Sequence, residues 1–170
     1  MSDRPRVVVA VDVQTHPVPL CEAAARVAAL AGAEATLLYV VQLPQGVTPD
    51  LQVRGPAGPT SAFELVRAEV LERFATYAPI FDAAGASASF AVRTGGVVDG
   101  IWATARELDA ELVIVGSDLV KGLRRLLSKS FTEAVLHEAS CPVVVVKTEG
   151  ETAPAGPLAS MGQLLAENNG

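Results

Sequence analysis

RVVVAV, Arg6 to Val11, is a continuous and mostly β-branched run, apolar from Val7 onward, and its reading decides the fold. A strand with one wet face alternates apolar with polar residues. This one does not, so both of its faces must be covered, as in a parallel sheet flanked by helices. Outward from it the pattern recurs in ATLLYVV (Ala35 to Val41), in LVIV (Leu112 to Val115) and in VVVV (Val143 to Val146), which Pro142 starts. ASASFAV (Ala86 to Val92) does alternate, which suits a half-exposed edge strand.

Helical patterns separate these runs. LCEAAARVAALAG follows Pro17 and Pro19, with Leu20, Ala24, Val27 and Ala31 at helical spacing and Gly32 placed to end it. Ser61 with Glu64 reads as a capping box for a second helix, whose stripe is Phe63, Val66, Val70, Phe74 and Tyr77. Pro79 is expected to kink or end it. VVDGIWATARELDA, after Gly95-Gly96, is helical despite Gly100, with Val98, Ile101 and Ala105 inward and Trp102 packing. Ser130 with Glu133 opens a fourth helix, FTEAVLHEAS. Gln42 to Thr60, with four prolines and three glycines, reads as a long irregular loop that could lie over a cleft as a lid.

The order βαβαβαβαβ implies an α/β fold, a three-layer doubly wound sandwich with a five-stranded, mainly parallel sheet and four helices. In such sheets ligands bind outside the carboxyl ends of the strands, where strand order reverses. Asp12 after the first strand and Gly116 after the fourth lie at that edge. Residues 1–148 form the expected domain, and EGETAPAGPLASMGQLLAENNG, broken by Pro and Gly, a flexible tail over 149–170.

Composition narrows the function. With 50% hydrophobic and 19% charged residues in 170, the chain is long and apolar enough for a packed core. A formal net charge of −6 argues against a nucleic-acid partner, which needs a basic face. No apolar run reaches the roughly 18–20 residues of a membrane span. MSDRPRVVVAVDV makes a poor signal peptide, so a soluble, unexported, cytoplasmic protein is expected. Cys21 and Cys141 are too few for a disulfide framework or a zinc site. His16 and His137 lack companion ligands and read as surface residues.

GSDLVKGLRRLLSKS, Gly116 to Ser130, carries four of the thirteen basic residues, a cluster large enough for one polyphosphate. Together with VVAVD, LLYVV, the Gly95 turn, ELVIVGS and CPVVVVK, it resembles the universal stress protein family over about residues 5 to 148. The ATP-binding branch of that family reads G-x2-G-x9-G-[ST] here. Glycines let backbone N–H groups approach phosphates closely, and the hydroxyl and helix start add donors. In that register the first glycine is Gly116 and the hydroxyl is Ser130, whereas Leu119 and Lys129 fill the other two glycine slots. Gly122 is out of register.

The resemblance therefore implies a nucleotide site with candidate residues Asp12, Val40, Gly116, Ser117, Leu119, Lys129 and Ser130, most of whose contact surface is lost. Asp12 matches the family acid near ribose and metal, and equally suits the capping of a loop after a strand. Val40 stands where the family backbone meets adenine, and Tyr39 where it commonly has His. Lys129 fits either a bound anion or a solvent-facing rotamer, and Ser130 is also a sufficient N-cap. ATP or AMP with Mg is the possible ligand. The family further implies a homodimer through Val143, Val144, Val145 and Val146, which would otherwise leave an apolar edge.

Two functions follow: a non-catalytic regulatory dimer with a degraded nucleotide site acting through an unknown protein partner, or a sensor that still binds ATP, AMP or a cyclic nucleotide. An enzyme is not expected. Adenylating motifs are missing, no nucleophile stands beside a base, and the third strand ends in Arg93-Thr94 where a phosphoacceptor domain needs an Asp.

Overall fold

The computed structural model describes residues 4–15, 17–118 and 137–148. Strands β1 (Arg6–Ala10), β2 (Glu34–Val41), β5 (Ser87–Thr94), β6 (Leu112–Gly116) and β7 (Val143–Val146) form one sheet in the order β5-β2-β1-β6-β7. Every pairing in it is parallel. Helices α1 (Val18–Ala31), α2 (Ala62–Ala84) and α3 (Val97–Glu107) connect the strands. The predicted fourth helix starts outside the described residues; His137 and Glu138 are helical and exposed.

Because side chains alternate along a strand, the central run feeds two cores. Val7 and Val9 join Leu37, Tyr39, Phe74 and Phe81 under α1 and α2, while Val8 and Ala10 join Leu38, Val40, Ile101 and Trp102 under α3. The expectation of a strand covered on both faces holds. β5 is an edge strand, as its alternation suggested. Gly32 ends α1 in the left-handed region at φ 61°.

Three local expectations are corrected. The buried stripe of α1 is Leu20, Cys21, Ala24, Ala25 and Ala28, and Ala31 is exposed. The helix thus buries small residues on adjacent rows, which lets it lie close to the sheet. Pro79 neither ends nor breaks α2, which runs on to Ala84. An interior proline costs about 3 kcal/mol. Beyond it, however, Phe81 is fully buried and Ile80 and Ala84 pack against the same core, and that burial keeps the helix going.

The third correction is the proline-rich segment. It is ordered by a hairpin, β3 (Gln52–Gly55) against β4 (Gly58–Ser61), antiparallel around Pro56-Ala57. Gly58, at φ 120°, adopts a conformation open only to glycine. Val53 anchors the hairpin at 5% exposure. The rest is tied by the start of α2: the Ala62 and Phe63 N–H groups donate to Leu51 O (2.8 Å) and Pro49 O (3.0 Å), and Glu64 N–H to Ser61 Oγ (3.1 Å). N–H groups that a helix leaves orphaned thus hold the loop. Half of the expected capping box is present, since the Glu64 carboxylate accepts from Arg67 instead.

Candidate functional site at the β1–β6 crevice

The chain runs from β1 outward to β2 and β5, then crosses back to β6 on the other side of β1. The reversal point is therefore the crevice between β1 and β6, bounded by the turn after Val11 and by Gly116, Ser117 and Asp118.

On the β1 side, Asp12 closes an Asx turn. Its Oδ1 accepts from Gln14 N–H (2.9 Å), and its carbonyl accepts from the Thr15 N–H (3.2 Å) and hydroxyl (2.9 Å). The turn is braced from beneath. Gln14 Nε2 donates to the Tyr39 hydroxyl (3.3 Å), and Arg73 Nη1, on α2, donates to Val13 O (3.2 Å) while pairing with Glu69 (3.5 Å). Burial raises the Asp12 carboxyl above its ordinary value, the Gln14 amide opposes this, and the charge of Asp118 raises it further. Burial likewise raises the Tyr39 hydroxyl.

On the β6 side the loop is occupied by its own chain. Thr148, 7% exposed, donates its N–H to Ser117 Oγ (2.9 Å), and its carbonyl accepts from that hydroxyl (3.1 Å). Its Oγ1 lies 3.3 Å from Ser117 Oγ and accepts from Asp118 N–H at 3.3 Å. A Cβ added to Gly116 would meet Thr148 Oγ1 at 3.3 Å and Cγ2 at 3.4 Å. Thr148 thus covers the bare side of the first glycine.

Of the predicted site residues, the structure brings Asp12, Gly116 and Ser117 to the crevice. Val40 is a core residue: its methyl groups pack on Gly100 of α3, where a Cβ would come within 2.7 Å of Cγ2. Leu119, Lys129 and Ser130 lie outside the described residues, as do the cluster Lys121, Arg124 and Arg125, His16 and the tail from residue 149. Asp118 and Thr148 were missed by sequence reasoning. Asp118 at least follows the Gly-Ser pair, but Thr148 carries no local signal. The segment after β2 contributes elsewhere: Gln42, Leu43, Val47 and Pro49 line a cleft of about 470 Å³ with Thr94, Gly95 and Gly96, at the ends of β2 and β5.

A profile of the universal stress protein family matches residues 4–147. The chain belongs to that family. A comparison with curated proteins returns no match. Among solved structures, a universal stress protein in complex with cAMP is 19% identical, with a TM-score of 0.58 over 84% of this chain and 95% of its own. The universal stress protein from Archaeoglobus fulgidus in complex with dAMP is 21% identical, with a TM-score of 0.58 over 86% and 100%. A family protein from Arabidopsis thaliana with AMP bound is 18% identical, with a TM-score of 0.52 over 91% and 98%. At these identities the likeness is one of fold.

In this universal stress protein, Thr148 falls just past the matched residues. Thr148 covers Gly116 and takes the Asp118 amide, so the main chain at this end of the loop is contacted by the protein's own side chain. Among the described residues no helix is long and apolar enough to cross a membrane, and no three His, Cys, Asp or Glu side chains could hold a metal ion.

Proposed function

We propose that this protein is a non-catalytic, homodimeric universal stress protein of the cytoplasm that acts through protein partners, its crevice having lost the grip on a triphosphate. The observation that carries this reading is Thr148, whose side chain packs on the bare side of Gly116 and accepts from the Asp118 amide. The dimer rests on β7, an edge strand on which Val144 and Val145 are 40% and 53% exposed. Pairing it with its two-fold mate covers both the free edge and these side chains.

A second reading, a sensor of adenine monophosphates, is favoured by the cAMP, dAMP and AMP held by structures of similar fold. Calorimetric titration with Mg-ATP and with AMP separates the two. The first reading expects no saturation by Mg-ATP up to about 1 mM in the wild type, and binding gained in Leu119→Gly. Micromolar binding of Mg-ATP or of AMP that Lys129→Ala abolishes would refute it in favour of a sensor. Sedimentation tests the dimer: Val145→Glu should yield monomers, and an unchanged dimer would exclude β7 as the interface.

A further inference from the structure

We propose that Thr148 is an internal latch on this crevice: it closes the loop after β6 in the resting protein, and its withdrawal admits an adenine monophosphate. The inference rests on reading the crevice as the protein's nucleotide cleft and adds to that reading what closes it. Three observations carry it.

The first is substitution of groups. A glycine after a strand leaves the main chain bare so that a ligand can touch it, yet here the bare side of Gly116 is packed by Thr148 Oγ1 and Cγ2. The Asp118 N–H, the donor that a ligand oxygen would use, is taken by the Thr148 hydroxyl at 3.3 Å. One residue thus fills the volume and satisfies the donor.

The second is charge. A hydroxyl is an acceptor without charge. The Thr148 hydroxyl bonds both Ser117 Oγ and the Asp118 amide, so the closed loop has its donor satisfied with no anion present.

The third is that the contact can open by itself. β7 ends at Val146, and its ladder to β6 ends at the Gly116–Val146 pair. Thr148 lies beyond it, and every bond that fixes it to residues 117 and 118 involves the hydroxyl of Ser117 or its own. Breaking them leaves the sheet intact.

The full-length chain tests this with AMP as the probe, in the wild type and in Thr148→Ser, Thr148→Ala and Thr148→Gly. Calorimetry should show AMP binding at least tenfold tighter in the alanine and glycine variants, with the serine variant, which keeps the hydroxyl, near wild type. Thermal melts establish that each variant is folded, and the alanine variant serves if the glycine variant is not. Amide exchange at Asp118 reads the latch bond directly and should accelerate at least tenfold in Thr148→Ala. Faster Asp118 exchange with unchanged AMP affinity would make Thr148 a structural tie and overturn the latch. Wild-type binding of Mg-ATP would overturn the degraded-site reading alone, and the latch would still stand or fall on the AMP ratio between variants. Absence of AMP binding in every variant, including a Leu119→Gly/Thr148→Gly double variant, would overturn both.

Discussion

Replacing Gly100 by alanine should destabilise the protein, although alanine is the better helix former. Gly100 lies inside α3, where glycine is worth about 0.5–1 kcal/mol less than alanine. Against that gain stands a collision. The new Cβ would lie 2.7 Å from Val40 Cγ2 and 3.1 Å from Cγ1. Val40 cannot turn away, because a β-branched side chain has few rotamers and this one is 7% exposed within the α3 core. Overpacking of this kind costs about 1–3 kcal/mol, which leaves a net loss of about 1–2 kcal/mol. Urea denaturation followed by circular dichroism would register it as a lower midpoint at unchanged slope. Val40→Ala alone should cost about 2 kcal/mol in lost burial and cavity. In that background Gly100→Ala should turn neutral or stabilising, a coupling of about 2 kcal/mol. An equal effect of Gly100→Ala in both backgrounds, or a stabilising one in the wild type, would refute the argument that close approach of α3 to β2 selects this glycine.

Pro79→Ala should stabilise by about 1–3 kcal/mol, since the helix already pays for its proline, whereas Phe81→Ala should cost about 3–5 kcal/mol; equal and small effects in denaturation would show that α2 is not held by packing beyond residue 79. Burial holds the folded-state pKa of Asp12 above its ordinary value of 3.8, so ionising it in the fold lowers stability, from the onset of that range upward and fully above the raised value. Asp12→Asn should therefore raise the melting temperature at neutral pH, with the gain vanishing as pH falls below 3.8; a gain independent of pH would contradict this. Burial also pushes the Cys21 thiol up to about 12. At pH 8 its thiolate fraction is then about one in ten thousand, so a thiol reagent should label the partly exposed Cys141 first and Cys21 only on unfolding; equal native rates would be the contrary result.

What the sequence disclosed follows the range of the forces involved. Arg6–Val11 announces a strand covered on both faces because burial acts on each residue in turn, and the alternation of β5 marks an edge for the same reason. The sheet order is not written in these patterns, but the observed order β5-β2-β1-β6-β7 brings Asp12 and Gly116, both expected at the carboxyl edge, to one crevice. Pro79 misleads because its local cost is visible in sequence while the burial of Phe81 that outweighs it is tertiary. The hairpin at Gln52–Ser61 hides behind its prolines and glycines, which mark turns but do not say what ties the loop. That tie comes from the N–H groups of α2.

The crevice was legible as an address and not as a surface. Gly116 is required by sequence logic for a phosphate and by the structure for Thr148, and both demands produce the same residue. The register of β7 on β6, which pairs Gly116 with Val146, sets where the chain emerges past the strand and so brings Thr148 against this glycine. A threonine there closes four polar groups at once: its own N–H, carbonyl and hydroxyl, and the Asp118 amide.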